Sequence, residues 1–486
     1  MLHELKIDSL SDTAPHKQQL LSLVAKYLDI IAEYDSDVGT TNMTFHEKNT
    51  GGVPPLLQPV RRLPYAKIRA AVESEIDKLV SADIARVSTS PWASPVVMGR
   101  KKDGGWRMCV DYRRLNSVTK FDCFPLLRLD EALDAFAGAI VFSSLDLAMA
   151  YHQIPVKPLD VKKTAFITHV GLFEMQKMPF GLCNAPSTYQ RFMAGVLKGL
   201  IGRICLAYLD YVIVFSKKRS EHAADLRAVF DRIRSAGLKL KPSKCSLFAD
   251  QMLYLGHVIS AACVSTDPSK LRVLADWQTP KTVRKMQSFL GFVNFYGNYI
   301  SDATELTAPL YDLTAARNGD ESIKLTAENL ESSEEIKRRL CAAPRLAHPD
   351  PEQPFVFYTD ASKITIGAVL LQRDNSGVER AISFFSKKLS LAHRNFYVRA
   401  RMPRNHLCAR TFPCISARPQ VLSAYRSSRA RLAVLEGAES LCSHFWLARD
   451  ADGVPDCNRV RPWIREQYRR CPLAPRFRCC RPQSTS

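Results

Sequence analysis

Nowhere does the chain carry about 18 uninterrupted apolar residues, so no membrane-spanning helix is expected. Its opening, MLHELKIDSL, lacks the basic segment and apolar core of a secretory leader. C-x-x-C pairs are missing as well. The fourteen cysteines are scattered without the spacing of a zinc site, which suits reduced thiols in an intracellular protein. Acidic residues are scarce beside basic ones, 48 against 68, for a formal net charge of +20. That excess says nothing about fold but points to a polyanionic partner such as nucleic acid. Lysine disappears after position 398: residues 399–486 hold 17 Arg and no Lys, with 7 Cys, 8 Pro and 6 acidic residues.

What is present is enough for two to four folded domains in 486 residues. Residues 15–35 read as one amphipathic helix, followed by a Gly/Thr/Pro-rich linker. Residues 61–260 alternate helical patterns with short apolar strands, and 266–315 are mainly helical. PFVFYTDASKITIGAVLLQ opens another strand-rich unit. No internal repeat is visible. The Arg/Cys/Pro-rich end has little periodicity beyond a short helical pattern at ARLAVLEGAES. Out-of-frame translation explains that composition best; a basic nucleic-acid tail or an unfamiliar domain are the alternatives.

Four stretches carry chemistry. VFSSLDLAMAYHQIPV (141–156) is a strand ending on Asp146, and ICLAYLDYVIVFS (204–216) sets Asp210 at a turn between two apolar runs. Alone, each acid reads as a turn or helix cap. Together, two carboxylates on neighbouring strand ends can hold two Mg2+ ions about 4 Å apart. GRKKDGGWRMCVDYRRLN (99–116) places Lys101, Lys102 and Arg107 around a D-G-G turn, either a triphosphate clamp or a solvated basic hairpin. MPFGLCNAP (178–186) is a tight loop whose glycine permits close approach to a base pair.

These stretches stand in one order with WASPVV (92–97), KTAF (163–166), E-H (221–222), LKLKPSKC (238–245), YLGHVIS (254–260) and FLGFVNFY (289–296). Between about residues 20 and 397 the chain resembles the reverse transcriptase of gypsy-like LTR-retrotransposon Pol polyproteins, with FYTDAS…IGAVLLQ resembling the start of the linked ribonuclease H domain. The resemblance implies an α+β fold: a right-hand polymerase of fingers, palm and thumb, then a truncated ribonuclease H-like domain and an irregular tail. The divisions it suggests are an N-terminal helix and linker (1–60), fingers and palm (61–262), thumb and connection (263–345), a partial ribonuclease H-like domain (346–398) and the tail (399–486). It implies RNA-directed DNA polymerisation on an RNA or DNA template–primer, with deoxynucleoside triphosphates and two Mg2+ ions, Mn2+ being an alternative.

By the same resemblance, Asp146, Asp210 and the Leu147 carbonyl would hold the metals. Lys101 or Lys102, with Arg107, would hold the triphosphate. Tyr151 would exclude a ribose 2′-hydroxyl, unless it merely packs. Phe180 and Gly181 would line the base-pair pocket, and Leu255, Gly256 and His257 would grip the primer. Lys239, Lys241 and Lys244 would touch phosphates, each with a solvated-face alternative. The resemblance also implies no membrane association, leaves a homodimer open, and suits a cytoplasmic virus-like particle or the nucleus.

Three departures matter. The family turn Tyr-x-Asp-Asp reads Tyr208-Leu209-Asp210-Tyr211 here. A phenol with a pKa of about 10 brings no charge at neutral pH and adds bulk, so polymerisation is expected to be severely reduced. Met149-Ala150 stands where the family often has Ser-Gly, a change the site tolerates unless Met149 crowds the triphosphate. Asp360 matches the first ribonuclease H acid, but the acids that should follow are missing, so open strand edges and no ribonuclease H activity are expected. Protease (D-[ST]-G) and integrase (H-H-C-C) motifs are not visible, so the chain reads as the middle of a polyprotein. The alternative function is a non-catalytic nucleic-acid-binding remnant or a pseudogene product.

Overall fold

The computed structural model describes residues 15–388, with short breaks at 35, 63–65, 101–103, 316–317, 351, 362–364 and 375, and residues 420–425 and 433–436. In chain order the first elements are α1 (Pro15–Ala25), α2 (Ala66–Ser81), β1 (Ala85–Val87), β2 (Ser94–Arg100), β3 (Trp106–Val110), α3 (Arg113–Ser117) and α4 (Leu129–Ala135). Then come β4 (Val141–Asp146), β5 (Phe166–Thr168), β6 (Gly171–Met175), α5 (Ala185–Val196), β7 (Cys205–Tyr208), β8 (Tyr211–Ser216) and α6 (His222–Ser235). They are followed by β9 (Ser246–Ala249), β10 (Gln251–Tyr254), β11 (His257–Ser260), β12 (Val264–Thr266), α7 (Pro268–Ala275), α8 (Val283–Phe295), α9 (Ala303–Asp312) and α10 (Ala327–Cys341). The last strands are β13 (Phe355–Ala361), β14 (Thr365–Arg373), β15 (Glu379–Lys388), β16 (Gln420–Tyr425) and β17 (Ala433–Glu436).

The central sheet runs β7-β8-β4-β9. Both β4 and β8 are apolar on both faces because they feed two cores. Val212 and Val214 join Leu145 in one, beneath α5 and α6. Ile213 and Phe215 join Phe142, Phe136 and Tyr254 in the other. Helix α6 meets the sheet with Leu226, Val229, Phe230 and Ile233, a 3.6-residue stripe. A second sheet, β1-β6-β5-β2-β3, carries the basic hairpin, and β10-β11-β12 forms a third. Helices α7 to α10 pack around their own core of Phe289, Leu290, Ile336 and Leu340.

Four expectations change. The helix expected over 15–35 ends at Ala25. Beyond a 3-10 turn the chain becomes extended, because Ala32 N–H donates to Leu240 O (2.9 Å) and Leu240 N–H to Ile30 O (2.7 Å). Those partners are remote in sequence, so local periodicity could not reveal them. The tail is also not wholly irregular. Strand β16 lies parallel to β13 and β17 antiparallel to β16, giving the order β15-β14-β13-β16-β17. The edge of β13 expected to be open is therefore paired, which satisfies its backbone groups. The helical pattern at ARLAVLEGAES is broken by β17, whose short apolar run pairs with Gln420–Ser423.

Candidate active site

Strands β7 and β8 pair up to Tyr208 and Tyr211, leaving Leu209 and Asp210 as a two-residue loop. Leu209 is forced to φ +53°, a left-handed conformation costing a side-chain-bearing residue about 1–2 kcal/mol. Buried Gln190 of α5 holds the loop in that shape. Its Oε1 accepts from Leu209 N–H at 2.9 Å, and its Nε2 donates to Ala207 O at 3.0 Å. The sequence reading passed over Gln190. Its one signal is that it is polar on a helix face otherwise filled by Tyr189, Phe192, Met193 and Val196.

Asp146 ends β4 directly opposite Tyr211. The next residue ties the acids together: Leu147 N–H donates to Asp210 O at 3.2 Å. Both aspartates line a cleft of about 310 Å³ with Leu147, Met149, Phe180, Lys241 and Lys244. Asp146 is nearly buried, whereas Asp210 is exposed. Burial pushes the Asp146 carboxyl above the usual carboxylate range, while Lys244 pulls the other way, its ammonium 3.2 and 3.4 Å from the two oxygens. Two carboxylates beside a backbone carbonyl are hard oxygen donors that fit a divalent cation such as Mg2+. Among the described residues, however, no group of three or more His, Cys, Asp or Glu side chains converges as metal ligands. The donor set is two acids, and one already holds a lysine.

Tyr211 departs from the expectation of bulk in the site. Its ring is half-buried and stacks on Tyr254 of β10 at 6.4 Å, on the core that contains Phe136 and Phe142. Its side chain is hydrogen-bonded with Ser144, and burial pushes the phenol above its ordinary value, so it is neutral. It does not line the cleft. The substitution removes a charge without filling the space.

Tyr151 sits on a 3-10 turn (Ala150–Gln153) with its ring 4.9 Å from Phe180 and 5.5 Å from Tyr189. Phe180 is 44% exposed, and the Arg107 guanidinium lies over it at 5.5 Å. Gly181 needs its hydrogen for conformation (φ +91°), since an added Cβ would find ordinary contacts; Asn116 donates to its carbonyl at 2.8 Å. Met149 lines the cleft in a left-handed conformation, φ +44°. Lys101 and Lys102 lie outside the described residues.

Other expected residues lie outside the lining of this cleft. Leu255 and Gly256, both at positive φ, form the tip of the β10–β11 hairpin. Tyr296 hydroxyl donates to Gly256 O at 2.8 Å. His257 is buried, 2.8 Å from Tyr299 Oη and beneath Phe295, so it braces the hairpin from within. Lys239 was expected on phosphates, but its ammonium contacts both Asp37 oxygens at 2.6 Å. Asp360 lies on β13, and its neighbouring strands, TIGAVLLQR and QVLSAY, carry no acid.

The family model for "Reverse transcriptase (RNA-dependent DNA polymerase)" matches residues 99–259, and that for "RNase H-like domain found in reverse transcriptase" matches 325–402. The Retrovirus-related Pol polyprotein from transposon opus of Drosophila melanogaster is 35% identical over 347 residues, 68% of this chain and 34% of that protein. That from transposon 297 of the same organism is 31% identical over 399 residues, 81% and 37% of the two chains. The Transposon Tf2-3 polyprotein of Schizosaccharomyces pombe is 32% identical over 342 residues, 70% and 25%. The chain thus spans little more than a third, at most, of these relatives' length. A foamy viral protease-reverse transcriptase solved with double-stranded DNA has a TM-score of 0.74 at 22% identity, covering 89% of this chain and 81% of that one. The same enzyme solved with an RNA/DNA hybrid also has a TM-score of 0.74, at 21% identity, over 100% and 64%. These neighbours establish the fold as a right-hand polymerase joined to a ribonuclease H-like unit. By its two matched domains and its relatives, the chain belongs to the gypsy-like family of LTR-retrotransposon Pol polyproteins.

Proposed function

We propose that this chain is an RNA-directed DNA polymerase whose nucleotidyl transfer is impaired by Tyr211. The observation that carries the reading is the meeting of Asp146 and Asp210 in one cleft through the Leu147–Asp210 hydrogen bond. In the reaction, a primer 3′-oxygen bonds to the α-phosphorus of a nucleoside triphosphate and pyrophosphate leaves. Bound Mg2+ would supply charge stabilisation for the entering and leaving oxygens. The chain's own residues orient the reactants. Phe180, backed by Tyr151, offers an exposed face to the incoming base and sugar, and Arg107 above it offers forked donors to phosphate. Lys244 meets charge at Asp146. That the related foamy viral enzyme was solved with double-stranded DNA and with an RNA/DNA hybrid supports a template–primer as partner here.

Primer extension on an RNA template by the purified chain, beside Tyr211→Asp, tests the reading. Slow extension that rises at least tenfold in Tyr211→Asp is expected; equal rates would refute the impairment. No release of RNA fragments is expected, since the strands beside Asp360 lack acids. A second reading, template–primer binding without turnover, is favoured by the lysine on Asp146. A Tyr211→Asp chain that binds template–primer yet extends nothing would establish it.

A further inference from the structure

The cleft has a wall that none of the motifs supplies. Ala32, Glu33 and Tyr34, upstream of the matched residues 99–259, line it beside Asp146, Met149 and Lys244. These residues are held in place on both sides. Before them, Tyr27 hydroxyl donates to Asp231 at 2.5 Å, and Arg234 lies over the Tyr27 ring at 4.1 Å while forking onto Asp29. At the wall itself, Ile31 bridges Leu240. After it, Asp37 accepts from Glu33 N–H at 3.0 Å and anchors Lys239. Gly39 then crosses Gly237 so closely that a Cβ would stand 2.4 Å from the Gly237 carbonyl oxygen.

The lining carries two chemically distinct kinds of group. Phe180 lies under Arg107 and against Tyr151. Lys241 and Lys244 share the lining with the wall, which Ala32 joins by a backbone bond to Leu240, the neighbour of Lys241 in the chain. Tyr34 is 64% exposed, an unusual setting for a tyrosine on a segment pinned so firmly.

We infer that Ala32–Tyr34 close the phosphate end of the nucleotide site, with Tyr34 a binding residue for the polyphosphate. This rests on the nucleotide-polymerising reading above. A nucleoside triphosphate whose base and sugar lie on Phe180, with its first phosphate at Arg107, extends its remaining phosphates toward Lys244, and the Tyr34 hydroxyl is a donor on the wall in the same lining. Glu33 acts with the opposite sign: its carboxylate repels phosphate oxygens and limits how tightly the anion is held.

The test is equilibrium binding of the fluorescent probe N-methylanthraniloyl-dATP to the full chain on template–primer, with Ca2+ as the cation. Tyr34→Ala is expected to weaken probe binding at least fivefold, while Glu33→Gln leaves it as tight or tighter. Both side chains are exposed, so unchanged melting curves should accompany these results. A smaller effect of Tyr34→Ala overturns the inference. So does equal weakening by Glu33→Gln, the mark of a merely structural wall, or an unaltered chain that binds no probe. The polymerase reading is judged separately, by primer extension with Tyr211→Asp.

Discussion

Tyr211 and Gln190 both bear on the turn that presents Asp210. In Tyr211→Asp the expected gain in primer extension is tenfold or more, about 1.4 kcal/mol of barrier, because a charge returns where a neutral phenol now packs against Tyr254. Gln190→Ala leaves two backbone groups without partners beside a strained Leu209. It should cost about 1–3 kcal/mol in thermal stability and, in the Tyr211→Asp background, should slow single-nucleotide extension further. Met149→Gly relieves a left-handed conformation and should stabilise the chain by up to about 1 kcal/mol after glycine's entropic cost, read as a higher melting temperature. The two aspartates were legible because each interrupts an apolar strand, where an acid has no packing reason to be. Gln190 was not, since one glutamine on an amphipathic helix looks like any surface residue until its partners are known. Nor could the sequence show that Tyr211 turns aside from the cleft, because Tyr254 lies on another hairpin.

At the scale of elements, the segment following α1 is the clearest case of long-range contacts overriding local pattern. Its apolar periodicity continues past Ala25, yet its backbone bonds go to Leu240 and its carboxylates to Arg234 and Lys239. Gly39→Ala should be severely destabilising, roughly 2 kcal/mol or more, because backbone atoms on both sides must shift to admit a methyl group. Chemical denaturation of that variant checks it. The strands and helices flanking the two aspartates could be read from alternation and amphipathicity alone. The pairing of β16 with β13 could not, since QVLSAY carries no signal of its partner.

At the scale of the whole molecule, four histidines among the described residues are buried in separate places. Burial lowers His46, His152 and His257 to about 4 and His222 to about 3, from an ordinary value of 6.5. They are neutral in the folded chain but take up protons on unfolding below pH 6.5, so the unfolded state binds more protons in that range. Stability should therefore hold above the ordinary histidine value and fall as pH drops toward 4, by on the order of 1 kcal/mol per pH unit for each histidine. Urea titrations between neutral pH and pH 4 check the slope. The net charge of +20, legible from composition, points to template–primer binding that weakens steeply with salt.

The crossing of Gly39 over Gly237 bears on what counts as one unit of this protein. The polymerase family model begins at Gly99, but the stretch that must fold together reaches back to α1 and the turn after it, where Leu20, Leu23, Val24, Tyr27 and Ile30 are all buried in the main core. A fragment cut at Gly99 would carry both aspartates and still bare the groove those five side chains fill. It should clump with its own copies rather than report on catalysis. What is inherited as a motif and what survives alone in solution are, in this molecule, different lengths of chain.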